Sequence, residues 1–229
     1  MSRDYGKEPV TKQALIVYGG WEGHQPQAVA ELFSRVLTEE GFQTIVSDSL
    51  DSFANLNQHS NLRLIVPVWT MGQIKWDQIN PVIKAVENGV GLAGCHGGMC
   101  DAFRDNTEWQ FMTGGQWVAH PGDNGVEYTV QISPGLSPIT DGISDFTVRT
   151  EQYYMHVDPA VKVLATTRFP SAGIDGPHVQ NGPVDMPVVW TKFYGRGRVF
   201  YNSLGHDVNV LAAEPCLTLM RRGLLWASN

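Results

Sequence analysis

Cysteine is scarce in this chain. Cys95, Cys100 and Cys216 are the three in 229 residues, and no two of them stand as CxxC. That excludes a disulfide framework and leads us to expect a reducing, cytoplasmic setting. Basic clusters are missing beyond the pair Arg221-Arg222. With 16 Lys and Arg against 23 Asp and Glu, the formal net charge is −7. A nucleic-acid surface is therefore not expected. No apolar run approaches a membrane span, and the first eight residues lack the apolar core of a signal peptide. Repeats, low-complexity tracts and a composition break are also absent. The expectation is one α/β domain over residues 1–229, long enough to bury a large core. What the chain has in supply is seven Trp and seven His. Aromatic faces beside polar groups suit a carbohydrate, although tryptophan is also a common core residue.

The residues before Lys12 read as a loose terminus. Ala14–Tyr18 is a buried strand that stops at a glycine-broken loop, Gly19-Gly20-Trp21-Glu22-Gly23-His24. Pro26 opens a helix in which Val29, Leu32, Phe33, Val36 and Leu37 recur at helical spacing, and Gly41 ends it. Strands follow at 42–46 and 62–69, then a helix over 76–88, then the short apolar strand before Cys95. Strand–helix alternation with short connections implies a parallel sheet with right-handed crossovers. In such sheets ligands bind beyond the carboxyl ends of the strands. That rule gathers Trp21, His24, Trp69, Cys95 and His96 on one rim. The later chain reads as a helix beginning at Phe103, a loop over 117–123, strands at 126–132, 146–150 and 161–167, a possible lid over 171–187, a hairpin at 187–192 and 198–202, and a closing helix from Val208 to Trp226.

Gly94-Cys95-His96-Gly97-Gly98 is the informative stretch. Glycines at minus and plus two around His96 make the frame of a nucleophile elbow, a tight strand-to-helix turn that lifts one side chain above the sheet. His96 at its centre would serve as an acid/base group or, as neutral imidazole, a metal ligand. Centred on Cys95 the frame is incomplete, because Ala93 stands at minus two. A thiol at a helix start is nonetheless a nucleophile candidate. His206-Asp207 follows a strand, so Asp207 is expected to cap the last helix while His206 enters the site. Glu151 lies among aromatic and apolar neighbours. Buried there, it suits general acid/base work; the bland alternative is an ion pair with Arg149 or Arg168. His120 and Asp123 share a turn, and His24 sits on the rim. His24, His96, His120, His156 and His206, with Glu151, are candidate ligands for zinc or another divalent ion, although no HExxH-type spacing is present.

Four segments together resemble the trehalose-utilisation, or ThuA-like, family: Gly91–Gly98, Gly115–Pro121, Thr150–Tyr154 and Gly195–Asp207. Gly20–His24 is similar to its first loop. The resemblance covers nearly the whole chain. It implies the class I glutamine amidotransferase-like superfamily, with a flavodoxin-like, doubly wound and mostly parallel sheet carrying helices on both faces. True amidotransferases place cysteine at the elbow centre and His-x-Glu near the C-terminus; here His96 holds the centre and no Glu stands two places after His206. Glutamine hydrolysis is therefore not expected. The resemblance implies carbohydrate catabolism on a sugar or 3-keto-glucoside. His96, Glu151, His206, His120 and His24 would be the catalytic set, and Trp21, Trp69, Tyr154 and Asp123 would bind substrate. A small-molecule carbohydrate is the expected partner, a homo-oligomer the expected assembly, and neither nucleic acid nor a membrane is expected. Two other functions stay open: a non-catalytic sugar-binding or regulatory module, and a Cys95-dependent hydrolase or amidotransferase.

Overall fold

A computed structural model describes residues 11–229; the terminus read ahead of Lys12 lies, but for Thr11, outside them. The chain opens with strand β1 (Gln13–Gly20), helix α1 (Pro26–Glu39), β2 (Gln43–Ser47), a short α2 (Asp51–Ala54), β3 (Leu62–Thr70) and α3 (Trp76–Glu87). Then come β4 (Gly91–Cys95), α4 (His96–Cys100), α5 (Thr107–Thr113), β5 (Gly115–Ala119), β6 (Val126–Ile132) and β7 (Phe146–Thr150). The chain closes with β8 (Tyr154–Val157), β9 (Lys162–Phe169), β10 (Val184–Tyr194), β11 (Gly197–Asn202), α6 (Val208–Ala212) and α7 (Cys216–Ala227).

Nine strands form one mixed sheet in the order β2-β1-β3-β4-β11-β10-β9-β6-β7. The first five are parallel. The remainder is an antiparallel extension. Alternation along β1 explains why both faces of the parallel half are covered. Ala14 and Ile16 face α1 and α7 in one core, with Phe33, Leu37, Leu219 and Leu224. Leu15 and Val17 lie in a second core with α3 and α5, including Ile79, Val82, Trp109 and Met112. Among the described residues no helix is long and apolar enough to cross a membrane.

The structure corrects the sequence reading in three places. The loop expected over 117–123 begins as strand: residues 117–119 belong to β5, which pairs antiparallel with β8 as a separate two-stranded ribbon. The helix expected from Phe103 starts only at Thr107, where Asn106 caps it by accepting from the Trp109 N–H at 2.9 Å. The closing helix is also two helices, split around Ala213-Glu214-Pro215. Proline supplies no N–H to an earlier turn and disfavours helical backbone in the residue before it.

The sheet places functional segments by direction. From β11 to β7 there are four antiparallel steps, so β7 runs in the same sense as β4 and β11. The carboxyl ends of β1, β3, β4, β11 and β7 therefore open on the same rim.

Candidate active site

The elbow is real in the backbone. Cys95 is extended, and His96 that follows has φ +47°, the left-handed region that a β-carbon ordinarily avoids. Such a residue costs about 1–3 kcal/mol and persists when its surroundings hold it. His96 is held on several sides. Its Nδ1–H donates to the Ser203 carbonyl at 2.8 Å, the Tyr201 hydroxyl donates to its own carbonyl at 3.0 Å, and the Tyr153 ring stacks on it at 4.1 Å. The flanking glycines make room. A β-carbon on Gly98 would meet the Val68 backbone at 3.1 Å, and one on Gly97 would sit 2.6 Å from His24.

Glu151 is the hub. It follows β7 directly and is 5 % exposed. Its Oε2 lies 3.1 Å from His96 Nε2 and 4.0 Å from His24 Nε2; its Oε1 lies 3.1 Å from His206 Nδ1 and 3.9 Å from His120 Nε2. Neither arginine offered as a partner takes that place: Arg149 faces Glu127 and Arg168 faces Asp185. His24 comes from the short turn after β1, and its Nδ1 pairs with Thr70 Oγ1 at the end of β3 at 2.8 Å. His206 comes from the turn after β11. Asp207 caps α6 by accepting from the Asn209 and Val210 N–H groups at 2.9 and 3.2 Å. Loss of a cap costs about 1 kcal/mol. Asp207→Ala should thus lower the unfolding free energy by that amount, read as a lower urea midpoint, and slacken the His206 turn, which a sugar-binding titration would register as weaker affinity.

Burial dominates the electrostatics. It pushes Glu151 upward, but contacts from His206 and His96 outweigh it and hold the carboxyl well below the ordinary range. Burial, aided by the neighbouring His96, lowers His24 to about 3 against the pull of Glu151. His96 is also lowered by burial, despite its bonds to Glu151 and Ser203. His206 goes the other way, raised by contact with the Glu151 carboxylate. The cluster therefore holds an ionised carboxylate among imidazoles of unequal basicity. Burial pushes the Cys95 thiol up to about 12, so it is protonated at neutral pH.

A model of the family described as "Trehalose utilisation", ThuA, matches residues 13–227. The chain belongs to the ThuA family. Among solved structures, it is similar to a ThuA-like protein of Parabacteroides merdae, at 16% identity and a TM-score of 0.77, over 96% of this chain and 90% of that one. A ThuA-like protein of Bacteroides uniformis gives 17% identity and a TM-score of 0.72, over 97% and 94%. A β-galactosidase of Bacillus circulans gives 14% identity and a TM-score of 0.57, over 95% of this chain and 30% of that one. At these identities the likeness is one of fold. No curated protein matches the chain.

Within this ThuA-family chain, the residues singled out in the sequence divide by position. His24, His96, Glu151 and His206 form one cluster whose nearest ligand atoms all lie within 4.8 Å of one another. His120 stands at its edge, 3.9 Å from Glu151, with Nδ1 3.3 Å from the exposed carboxylate of Asp123. Trp21 meets His24 edge-on at 4.7 Å and is 45 % exposed, a free face on the rim. Trp69 packs into the second core and over Gly19 and Gly72, so it forms wall rather than stacking surface. Tyr154 faces Phe169 and His156, not His96; its neighbour Tyr153 takes the place beside the cluster. His156 is exposed in β8 and belongs to a different groove, with Gly114, Gly115 and Asp158. It is not among the clustered donors.

Sequence reasoning missed a second component. A groove of about 410 Å³ opens beside His120, lined by Trp117, Pro121, Asp123, Asp175 and His178. Trp117 Nε1 and His178 Nε2 in this region are buried without a hydrogen-bond partner. The Arg104 guanidinium lies 4.5 Å over the Trp117 ring and is itself paired with Asp101. His178 stands in a polar loop, where nothing in the sequence marks a histidine as part of a site. Trp117 carried a signal, since it lies three residues before His120, but its strand was read as a loop.

Proposed function

We propose that this ThuA-family protein is an enzyme of carbohydrate catabolism that acts on a sugar or 3-keto-glucoside through Glu151 and its histidines. The observation that carries the reading is the buried, ionised Glu151 in contact with four imidazoles beside an aromatic groove. A ketosugar has an acidified C–H next to its carbonyl. Glu151, held ionised by its imidazoles, is the base for that proton, and His206, raised by the same carboxylate, is the acid that meets the developing enolate oxygen. His24, neutral at working pH, offers a lone pair or an N–H according to its tautomer. The groove at Trp117 takes the rest of the glucoside against an aromatic and polar lining that includes Asp123, Asp175 and His178. The protein is read as cytoplasmic, in keeping with its three free thiols. Its parallel half is read as flavodoxin-like and doubly wound, supported by the order β2-β1-β3-β4-β11.

The test is incubation of purified protein with 3-keto-glucosides and their parent glucosides in D₂O, followed by NMR. Product formation, or deuterium at the carbon beside the carbonyl, is expected with the ketosugar. Binding with neither product nor exchange would overturn the reading in favour of a binding module. Loss of turnover on thiol alkylation would overturn it in favour of Cys95. Trp117→Ala should raise KM about tenfold with kcat held, since loss of one aromatic contact in a pocket is worth about 1–2 kcal/mol.

A further inference from the structure

His96 Nε2 faces Glu151 in an arrangement that needs a third party. Its Nδ1 contacts a carbonyl, and a carbonyl only accepts, so Nδ1 carries the proton. In the neutral ring Nε2 then presents a lone pair to a carboxylate oxygen 3.1 Å away, acceptor against acceptor. His24 repeats the pattern. Its Nδ1 is engaged by Thr70, leaving Nε2 directed at the same carboxylate. His206 Nδ1 is buried and 3.1 Å from Oε1, yet it is off the line of a hydrogen bond and has no partner. Three imidazoles thus converge on one carboxylate, and hydrogen bonds from their remaining nitrogens orient two of them, as around a metal.

The spacing fits an ion. Donors each about 2.1 Å from one cation stand about 3.0 Å apart at octahedral angles and about 3.4 Å at tetrahedral ones, reaching about 4.2 Å when opposite. Glu151 Oε2 lies 3.1 Å from His96 and 4.0 Å from His24, its Oε1 lies 3.1 Å from His206, and one ligand atom from each of the four residues stands within 4.8 Å of the others. Among the described residues no arginine or lysine pairs with Glu151, whose ion-pair contacts are all with imidazoles, so a bound cation is what would match its charge.

We propose that His24, His96, His206 and Glu151 bind one divalent first-row transition ion. Three imidazoles and one carboxylate suit zinc, manganese or cobalt better than magnesium or calcium. Four protein donors leave room for further ligands on such an ion, and His120, 3.9 Å from Glu151, stands between the cluster and the Trp117 groove. Further ligands would be oxygens of the sugar; in the ion-bound form Glu151 and His206 are ligands, and the ion takes from His206 the role of meeting the carbonyl oxygen. This last step rests on the function proposed above; the ion does not.

The experiment uses chelator-treated full-length protein titrated calorimetrically with Zn²⁺, Mn²⁺ and Co²⁺ separately, with folding followed by circular dichroism. One ion per chain is expected for at least one metal. Glu151→Gln, nearly isosteric, should weaken it by about 100-fold or more, and His96→Ala likewise. His156→Ala, outside the cluster, should bind as the wild type does. Failure of all three ions to bind at one per chain, or equal weakening by His156→Ala, overturns the site. Addition of 3-keto-glucoside to the Co²⁺ form should shift its visible absorption. An unchanged spectrum with the ion bound overturns the substrate role and leaves the ion in place.

Discussion

Glu151→Gln is expected to lower kcat on a 3-keto-glucoside by about 10³-fold, within the span that positioned acid–base groups supply. That corresponds to about 4 kcal/mol of transition-state stabilisation. The substitution isolates chemistry from shape. Glutamine keeps the length and volume, and its amide can still donate to one imidazole and accept from another. What it loses is the anion, and with it the base and the charged ligand of the proposed ion. The carboxylate is buried, so few waters can stand in for it. Its oxygens are 3.1 Å from both His96 and His206, so position and charge are coupled. Glu151→Asp separates them. It retains the charge but withdraws it by one methylene, about 1.5 Å, beyond contact with both rings. Both variants should fall together in kcat. Stopped assays at saturating substrate, with melting curves to show that each variant is folded, decide the matter. Unchanged kcat in Glu151→Gln would remove Glu151 from the chemistry.

Much of this site could be read from residue order, and the reasons differ by residue. His24 and His96 were placed together because each follows a parallel strand, and strand direction alone sets the rim. His206 could be flagged because it follows a strand, but that strand reads as half of a hairpin, and its parallel pairing with β4, which puts His206 on the rim, is a finding of the structure. Glu151 could be flagged by its apolar company, but not its partners: it stands 55 positions from His96 and 55 from His206, and only the four sheet reversals bring β7 to the right edge. Tyr154 and Tyr153 show the limit most clearly. Adjacent residues in extended chain face opposite sides, and without the register of β8 against β5 nothing indicates which ring meets His96. His156 failed for the same reason. The split of the last helix is different, because Pro215 announced it and helical periodicity on both sides concealed it. The β5–β8 ribbon was missed because two strands of five and four residues carry too little pattern to stand out from a loop. Trp117 and the groove it lines went with it.

Gly97 carries the second large prediction, and it changes what the glycine frame means. The usual account of such glycines is conformational freedom at the turn. Gly97 does not need it: it lies in α4 with no positive φ, where alanine would be favoured by about 0.5–1 kcal/mol. The constraint is spatial. An added β-carbon would meet His24 Cε1 at 2.6 Å, His24 Nδ1 at 2.7 Å and Thr70 Cγ2 at 3.0 Å. His24 and Thr70 are both buried and bonded to each other, so neither can swing out without breaking their 2.8 Å contact. Overpacking of this kind costs about 1–3 kcal/mol, which outweighs the helical gain. Gly97→Ala should therefore lower the melting temperature by several degrees and displace the His24 ring from Glu151, with activity lost in proportion. The decisive measurement is a double-mutant cycle with His24→Ala. If the methyl acts by striking His24, removing the imidazole makes the space, and Gly97→Ala in that background becomes neutral or stabilising, a coupling of at least about 1 kcal/mol. Additive costs would mean that the backbone of α4, not His24, rejects the side chain. Coupling would mean that the glycine after His96 exists to admit a second histidine, so that the elbow is one wall of a shared site rather than the platform for a single nucleophile.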